Sequence, residues 1–327
     1  MIISRVPSQV VVVGSYVQDH AWFVDRFSRV GETRRAHGFN TGPGGKGFNQ
    51  AIACLRQGVA TAFVGAIGND HLGATAQEFA RAEGLPCRWL IRDDQPTAAS
   101  SIVVDASGAN QIAVSFAANE HLDPAFVRMQ ADLFAGARVL LLQLENNLDA
   151  IAAALDLGER HGLISVLNPA PVPQDLSAQL LRRADLITPN ETEFALLLER
   201  VAGVAVDPAA LADRSDAELH ALARTLGVAT VVITLGAHGC FVAHGDERRG
   251  DNVACYRLPA ENVHAVDTTG AGDAFSGALV AALIRFAGQP FRAAAMHANR
   301  AAAMSTEIVG TAPAMTTFDA VRERFRN

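Results

Sequence analysis

Lysine is almost absent from this chain. Of 27 basic residues among 327, only Lys46 is a lysine. That scarcity excludes several phosphate-handling motifs outright. Gly45-Lys46-Gly47 lacks the Ser/Thr that follows a P-loop lysine, and no second lysine can supply a P-loop or the Val-Ala-Ile-Lys strand of a protein kinase. The four cysteines, Cys54, Cys87, Cys240 and Cys255, form no Cys-x-x-Cys, which argues against a zinc knuckle or redox pair and for free thiols in a reducing compartment. The ten histidines contain no His-Glu-x-x-His helix. A Gly-x-Gly-x-x-Gly at a strand-to-helix turn is missing too, which weighs against a dinucleotide-dependent oxidoreductase. The formal net charge of −7 disfavours a nucleic-acid or anionic-membrane surface. The run Val10–Val13 is too short for a membrane span, and no basic segment leads into a secretory core. The expectation is a soluble cytoplasmic protein without nucleic-acid or membrane partners.

What is present points to a well-filled interior, since 50% of the residues are apolar and 19% charged. Short β-branched runs alternate with longer Ala/Leu-rich amphipathic stretches. Strands are expected at Val10–Gly14, Ala62–Ile67, Val139–Leu144, Leu163–Leu167, Leu186–Thr188 and Thr230–Leu235. Helices are expected at Gly47–Gln57, Leu72–Glu83, Leu148–His161, Glu191–Val201, Asp216–Leu226, Ala271–Phe286 and Phe291–Thr306. Such alternation builds βαβ units, hence a doubly wound, mostly parallel α/β sheet flanked by helices. Two regions break the rhythm: a polar stretch from Asp19 to Thr41, and a hairpin pattern, Ser101–Asp105 and Gln111–Phe116 around Ala106-Ser107-Gly108-Ala109-Asn110. Residues from roughly 17 to 42 and 97 to 117 are therefore expected to form a small β-sheet lid. No linker divides the chain, so residues 1–327 are read as one domain.

Two glycine clusters carry the chemistry. Four of the seven residues from Gly42 to Phe48 are glycine, and they surround Lys46. Glycine admits close backbone approach to a ligand, and a lysine is a compact point charge where arginine is a broad fork. The second cluster, Asp267-Thr268-Thr269-Gly270-Ala271-Gly272-Asp273, opens a long apolar helix. Small residues at a helix start present unpaired N–H groups and a positive dipole end, a ready anion site. Asp273 puts a carboxylate where an anion would sit. Either it is an ordinary acidic first-turn residue or it is a general base beside that anion. Further polar clusters close other strands: Asp19, Glu145, Asn168-Pro169-Ala170-Pro171, Asn190-Glu191-Thr192-Glu193 and Thr234-Leu235-Gly236-Ala237-His238-Gly239. Each alone reads as a turn or cap, with Asn190 a plausible N-cap. Their shared place beyond strand C-termini is where open α/β sheets bind ligands.

Gly44-Gly45-Lys46-Gly47-Phe48-Asn49-Gln50 and Asp267–Asp273 resemble the two signatures of the PfkB carbohydrate kinase family. Asn168-Pro169-Ala170-Pro171, Pro189-Asn190-Glu191-Thr192-Glu193 and Thr234-Leu235-Gly236 narrow the resemblance to its ribokinase group, and the motifs run in order from about Val10 to the C-terminus. The resemblance implies a ribokinase-like fold whose lid often mediates a homodimer, and ATP-dependent phosphorylation of a sugar hydroxymethyl group. It implies Asp273 as general base, with the amides of Gly270, Ala271 and Gly272 as an anion hole. Asp19, Gly45, Lys46, Gly47, Phe48, Asn49 and Glu145 would hold the sugar. Asn190, Thr234, Leu235, Gly236, Ala237, His238, Gly239, Gly272 and Asn299 would line the nucleotide site. Glu193 would organise Mg²⁺ through water, while Asp267, Thr269, Ser305, Ile308, Gly310 and Ala314 would surround an activating monovalent cation such as K⁺.

Two departures bear on the acceptor. The ribokinase group usually carries Asn-Ala-Asp where this chain has Val17-Gln18-Asp19, and it favours a small residue at Phe48. A missing amide and a larger side chain would both reshape the acceptor pocket. Ribose is the expected acceptor, ahead of deoxyribose, fructose and nucleosides including pseudouridine. A non-catalytic sugar or nucleotide sensor on the same fold is the remaining alternative, disfavoured by the intact Asp273.

Overall fold

A computed structural model describes residues 8–326. The strand β1 (Val10–Val13) shows how the interior is organised. All four valines are fully buried, with Val10 and Val12 facing one core and Val11 and Val13 the other. A strand covered on both faces needs no polar alternation. β1 pairs in parallel with β4 (Thr61–Gly68) on one side and β8 (Val139–Leu142) on the other. Before them come β2 (Val17–Phe23) and β3 (Gly38–Gly44), and between them β5 (Cys87–Arg92), β6 (Ala99–Val104) and β7 (Asn110–Ser115). The later strands are β9 (Ile164–Leu167), β10 (Leu186–Ile187), β11 (Thr230–Thr234), β12 (Cys240–His244) and β13 (Cys255–Leu258).

Nine strands form the main sheet in the order β13-β12-β11-β10-β9-β8-β1-β4-β5. It is parallel from β5 to β11, and β12 and β13 add antiparallel at one end. The chain leaves β1 for β4 and β5, then returns to β8 on the opposite side. This reversal opens a crevice beyond the C-termini of β1 and β8. Helices α1 (Lys46–Arg56) and α2 (His71–Glu83) come before β8, with the short α3 (Pro124–Arg128) and α4 (Ala131–Phe134). They are followed by α5 (Leu148–His161), α6 (Ala178–Leu181), α7 (Glu191–Leu197), α8 (Asp216–Thr225), α9 (Ala271–Arg285), α10 (Phe291–Ser305) and α11 (Phe318–Arg324).

The expected elements are present, with ends shifted by a residue or two. The exception is α7, which stops at Leu197 and continues as a π-turn, Leu198–Ala202. The sequence patterns placed β2 and β3 within the expected lid without marking either strand, and missed β5, β12 and β13. Much of β3 and β5 is only partly buried, so neither shows the apolar run that marks a core strand. The lid is a separate four-stranded sheet, β3-β2-β6-β7. Its two hairpin-like pairs are antiparallel, and β2 and β6 join them in parallel. That parallel pairing links residues about eighty apart and leaves no local signature.

Several helices begin with side-chain caps. Asp70 caps α2, Asn147 caps α5, and Asn190 and Ser215 form capping boxes with Glu193 and Glu218. Helices α1 and α9 begin differently. Each starts after a glycine with left-handed φ, Gly45 at 86° and Gly270 at 78°, and no side chain caps either one. The first amides of α1 are met from outside the helix, by Glu145 and Ser15, whereas those of Gly272 and Asp273 in α9 meet no acceptor among the described residues. The two helices pack closely because Gly277 has no side chain, since a Cβ there would lie 2.4 Å from that of Ala53.

Candidate active site

The starts of α1 and α9 converge on one carboxylate. Asp273 lies in the first turn of α9 and is 6% exposed. Asn49 Nδ2 donates to its Oδ2 at 2.9 Å, and Gln50 Nε2 donates to its Oδ1 at 2.9 Å. Gln50 Nε2 also reaches Asn168 Oδ1 at 3.0 Å, and Asn168 Nδ2 donates to Thr188 O at 2.8 Å. Gln143 Nε2 in turn donates to Gln50 Oε1 at 2.6 Å. A buried carboxylate thus has one oriented donor per oxygen and keeps lone pairs for an incoming hydroxyl.

Glu145 sits where the crevice opens. Its Oε2 accepts from the Ser15 hydroxyl and from the Lys46 N–H, the latter at 2.8 Å. The β1 end, the β8 end and the start of α1 are therefore tied together. Burial pushes the Glu145 carboxyl above the usual glutamate range, against the pull of Lys46. Glu193 is raised for the same reason, again with Lys46 opposing. Burial works against the charge of Lys46 itself, but Asp273, Glu145 and Glu193 outweigh it and hold the ammonium above its ordinary value. The sole lysine is the shared counter-charge of three acids.

Asp19 faces the space under the lid. Ser100 Oγ donates to its Oδ1 at 2.6 Å and Thr311 Oγ1 to its Oδ2 at 3.4 Å. Burial raises its carboxyl, the two hydroxyls restrain that rise, and the Asp273 charge adds to it. The cavity here measures about 460 Å³ and is bordered by Asp19, Gly42, Ile102, Asp267, Thr269 and Gly310 among others.

A second cleft of about 430 Å³ opens on the other side of the Ala265–Thr269 loop. Asn190, Thr234, Gly236, Ala237, Gly239, Gly272 and Asn299 border it, as the sequence led us to expect of a nucleotide site. Its apolar walls, Val263, Ala265, Phe275, Ala302 and Ala303, carried no signal in the sequence. The Gly272 amide occupies the second helical position and has no intrahelical acceptor to meet. The Ala271 N–H is partly engaged, donating to Thr268 O at 3.2 Å.

Three expected site residues need correction. Phe48 is fully buried and turns away from the acceptor, packing edge-on to Tyr16 at 5.1 Å and Phe63 at 5.6 Å. Its large ring fills an aromatic core rather than narrowing a pocket. Leu235 is likewise fully buried, packed into the core below the cleft floor. His238 is exposed in the short turn Gly236–His238 and is not among the residues bordering the cleft.

Asp267 braces a third feature. Its Oδ1 accepts the Thr269 N–H and its Oδ2 the Gly310 N–H, both at 2.9 Å, joining two loops. The Ser305 carbonyl accepts from Ile308 at 3.2 Å. Among the described residues, the carbonyl oxygens of Asp267, Thr269, Ile308, Gly310 and Ala314 accept no backbone hydrogen bond. Free carbonyls suit a hard monovalent cation. No group of three His, Cys, Asp or Glu side chains could cage a metal among the described residues. Glu193 commits Oε2 to the Asn190 N–H at 2.9 Å, and its Oε1 takes no hydrogen bond among the described residues.

The profile of the family described as "pfkB family carbohydrate kinase" matches residues 7–317. The chain belongs to this family. Within it, the chain is similar to a ribokinase of Haemophilus influenzae, 36% identical over 307 residues and covering 94% of each chain. The fold is that of solved ribokinases. One from Giardia lamblia aligns with a TM-score of 0.86 at 26% identity, covering 98% of each chain. An Arabidopsis thaliana ribokinase complexed with ribose and ATP aligns at 0.80 and 25% identity, covering 98% of this chain and all of that one. Gln50, Gln143 and Ser15 were given no role by the sequence. Gln143 left a trace, as the polar interruption of an otherwise apolar Val139–Leu144.

Proposed function

We propose that this family member transfers the γ-phosphoryl group of ATP to the primary hydroxyl of a pentose, ribose first, giving ribose 5-phosphate. The observation that carries the reading is Asp273, a buried carboxylate held by two amide donors at the open end of α9. Asp273 takes the hydroxyl proton as the oxygen attacks in line. The amide of Gly272, with those of Gly270 and Ala271, faces charge developing on the transferred group. Asp19, Asn49, Glu145 and the Gly45–Gly47 backbone hold the sugar, with Lys46 balancing the acids around it. The 430 Å³ cleft takes the nucleotide, its apolar walls suiting a planar base. Glu193 would hold Mg²⁺ through water, and the ion would supply charge neutralisation for the phosphates. The loops braced by Asp267, with the carbonyls of Thr269, Ile308, Gly310 and Ala314, would hold K⁺ beside the start of α9.

The lid would close over the acceptor to exclude water. By strand register, Ile102, Val104, Ile112 and Val114 share the lid face that carries Asp19. Ile112 is 55% and Val114 42% exposed, which supports a homodimer formed through the lid. No helix among the described residues is long and apolar enough to cross a membrane, and cytoplasmic placement is part of the proposal. Val17 favours a second acceptor, deoxyribose, because an apolar side chain stands where related chains place an amide.

ADP release measured across ribose, deoxyribose, fructose and nucleosides, with and without K⁺, tests the assignment. Asp273→Asn should keep the fold and nucleotide binding while turnover falls by orders of magnitude. Near-normal turnover in that variant would sink it.

A further inference from the structure

Gln143 touches neither cleft, yet its side chain is fully buried at the end of a leucine-rich strand. Its Nε2 donates to Gln50 Oε1 at 2.6 Å, while its Oε1 is buried without a partner. It is pressed against Gly14, where a Cβ would lie 2.3 Å from that Oε1. A buried acceptor without a protein partner is costly, and leucine would avoid the cost. The arrangement is explained by the polarity it imposes.

The carboxylate of Asp273 accepts only, so Gln50 must present its NH₂ to Oδ1, as it does at 2.9 Å. Gln50 Oε1 then points the other way and needs a donor. Gln143 supplies it. Were the Gln143 amide reversed, two carbonyl oxygens would meet at 2.6 Å. The chain Gln143–Gln50–Asp273 therefore has one allowed sense, set by a charge at one end and a packed amide at the other. Asn168 Oδ1, accepting from Gln50 Nε2 at 3.0 Å, reads the same sense.

We propose that Gln143 is a positioning residue that acts through Gln50. It fixes the amide that aims and tempers the Asp273 carboxylate. The inference rests on Asp273 being the base. Loss of the Gln50 donor leaves that carboxylate freer to rotate and less stabilised when ionised. The other charged groups facing Asp273 are Lys46 on α1, Glu145 after β8, Glu193 on α7 and Asp19 on β2, and none of them is altered by changes at Gln143.

The test uses the full chain with Gln143→Met and Gln143→Leu, so that it does not hinge on one repacking, together with Gln50→Met and the double variant. In a folded Gln143 variant, kcat should fall about tenfold with the KM values for sugar and ATP within about twofold. The acid limb of kcat should move to higher pH. The losses should not multiply in the Gln50→Met background, because the first acts through the second. Unchanged kcat and acid limb in a Gln143 variant that melts like the parent would overturn the proposal, as would losses that multiply. If Asp273→Asn abolishes turnover while Gln143→Met is neutral, only this inference fails. If Asp273→Asn stays active, the assignment of the base fails first.

Discussion

Asn49 and Asp273 meet at 2.9 Å, although 224 residues separate them in the chain. The bond joins the start of α1 to the start of α9, so the two helices share one carboxylate. Asn49→Asp would set a second carboxylate against it. Like charges at that distance share a proton, and the base is then blocked near neutral pH. Turnover at pH 7 should fall about 100-fold. Steady-state kinetics beside a thermal melt of the variant check this.

Lys46 opposes the burial of Glu145 and Glu193, whose carboxyls already stand above the ordinary value of 4.5. Removing its charge in Lys46→Met should raise both further. A raised carboxyl binds its proton more tightly in the folded state. Its contribution is complete below 4.5 and lost as pH climbs through the folded value. The melting temperature of Lys46→Met should therefore drop more at pH 8 than at pH 5.5, relative to the parent. Lys46→Arg should keep the parent slope but change sugar KM or kcat, because a planar fork does not fit where an ammonium does. No change in either constant would make the sole lysine a bystander.

A Cβ at Gly272 would meet no protein atom within 4 Å. Gly272→Ala should fold well, gaining about 0.5–1 kcal/mol of helix propensity. Gly272 borders the 430 Å³ cleft proposed to take the nucleotide, so the added methyl would intrude on it. KM for ATP should rise while the melting temperature holds or increases, and steady-state kinetics beside a thermal melt check both.

Phe48 and Val17 separate stability from specificity. Phe48→Ala empties part of a packed aromatic cluster and should cost about 3–5 kcal/mol, with sugar KM unchanged in whatever folds. Val17 lies on β2 two residues before Asp19, on the same strand face. Val17→Asn should improve kcat/KM for ribose relative to deoxyribose about tenfold or more, by supplying a hydrogen bond only ribose can use. An unchanged ratio would place the choice of acceptor elsewhere.

The two glycine signatures, the strand-end polar clusters and most core strands were legible because each is local. An apolar run such as Val10–Val13 announces a strand covered on both faces. The Asp267–Asp273 segment announces a helix start with open amides. Phe48 misled because a motif gives neighbours in sequence, while two residues of helix, a rotation of about 200°, send Lys46 to the acids and Phe48 into the core. Gln143 showed only as a polar break in an apolar run, and its role was hidden because its partner Gln50 lies 93 residues away.

The sequence by itself determined the alternation of elements and the place of Asp273 in the first turn of a helix that opens on glycine, both consequences of residue type and short-range spacing. Tertiary structure alone decided which amides aim that carboxylate, which acids share Lys46, and how β2 and β6 pair to build the lid. Those contacts join residues tens to hundreds of positions apart. Long-range pairing is set by the packing of two cores around one sheet, and no local pattern encodes it.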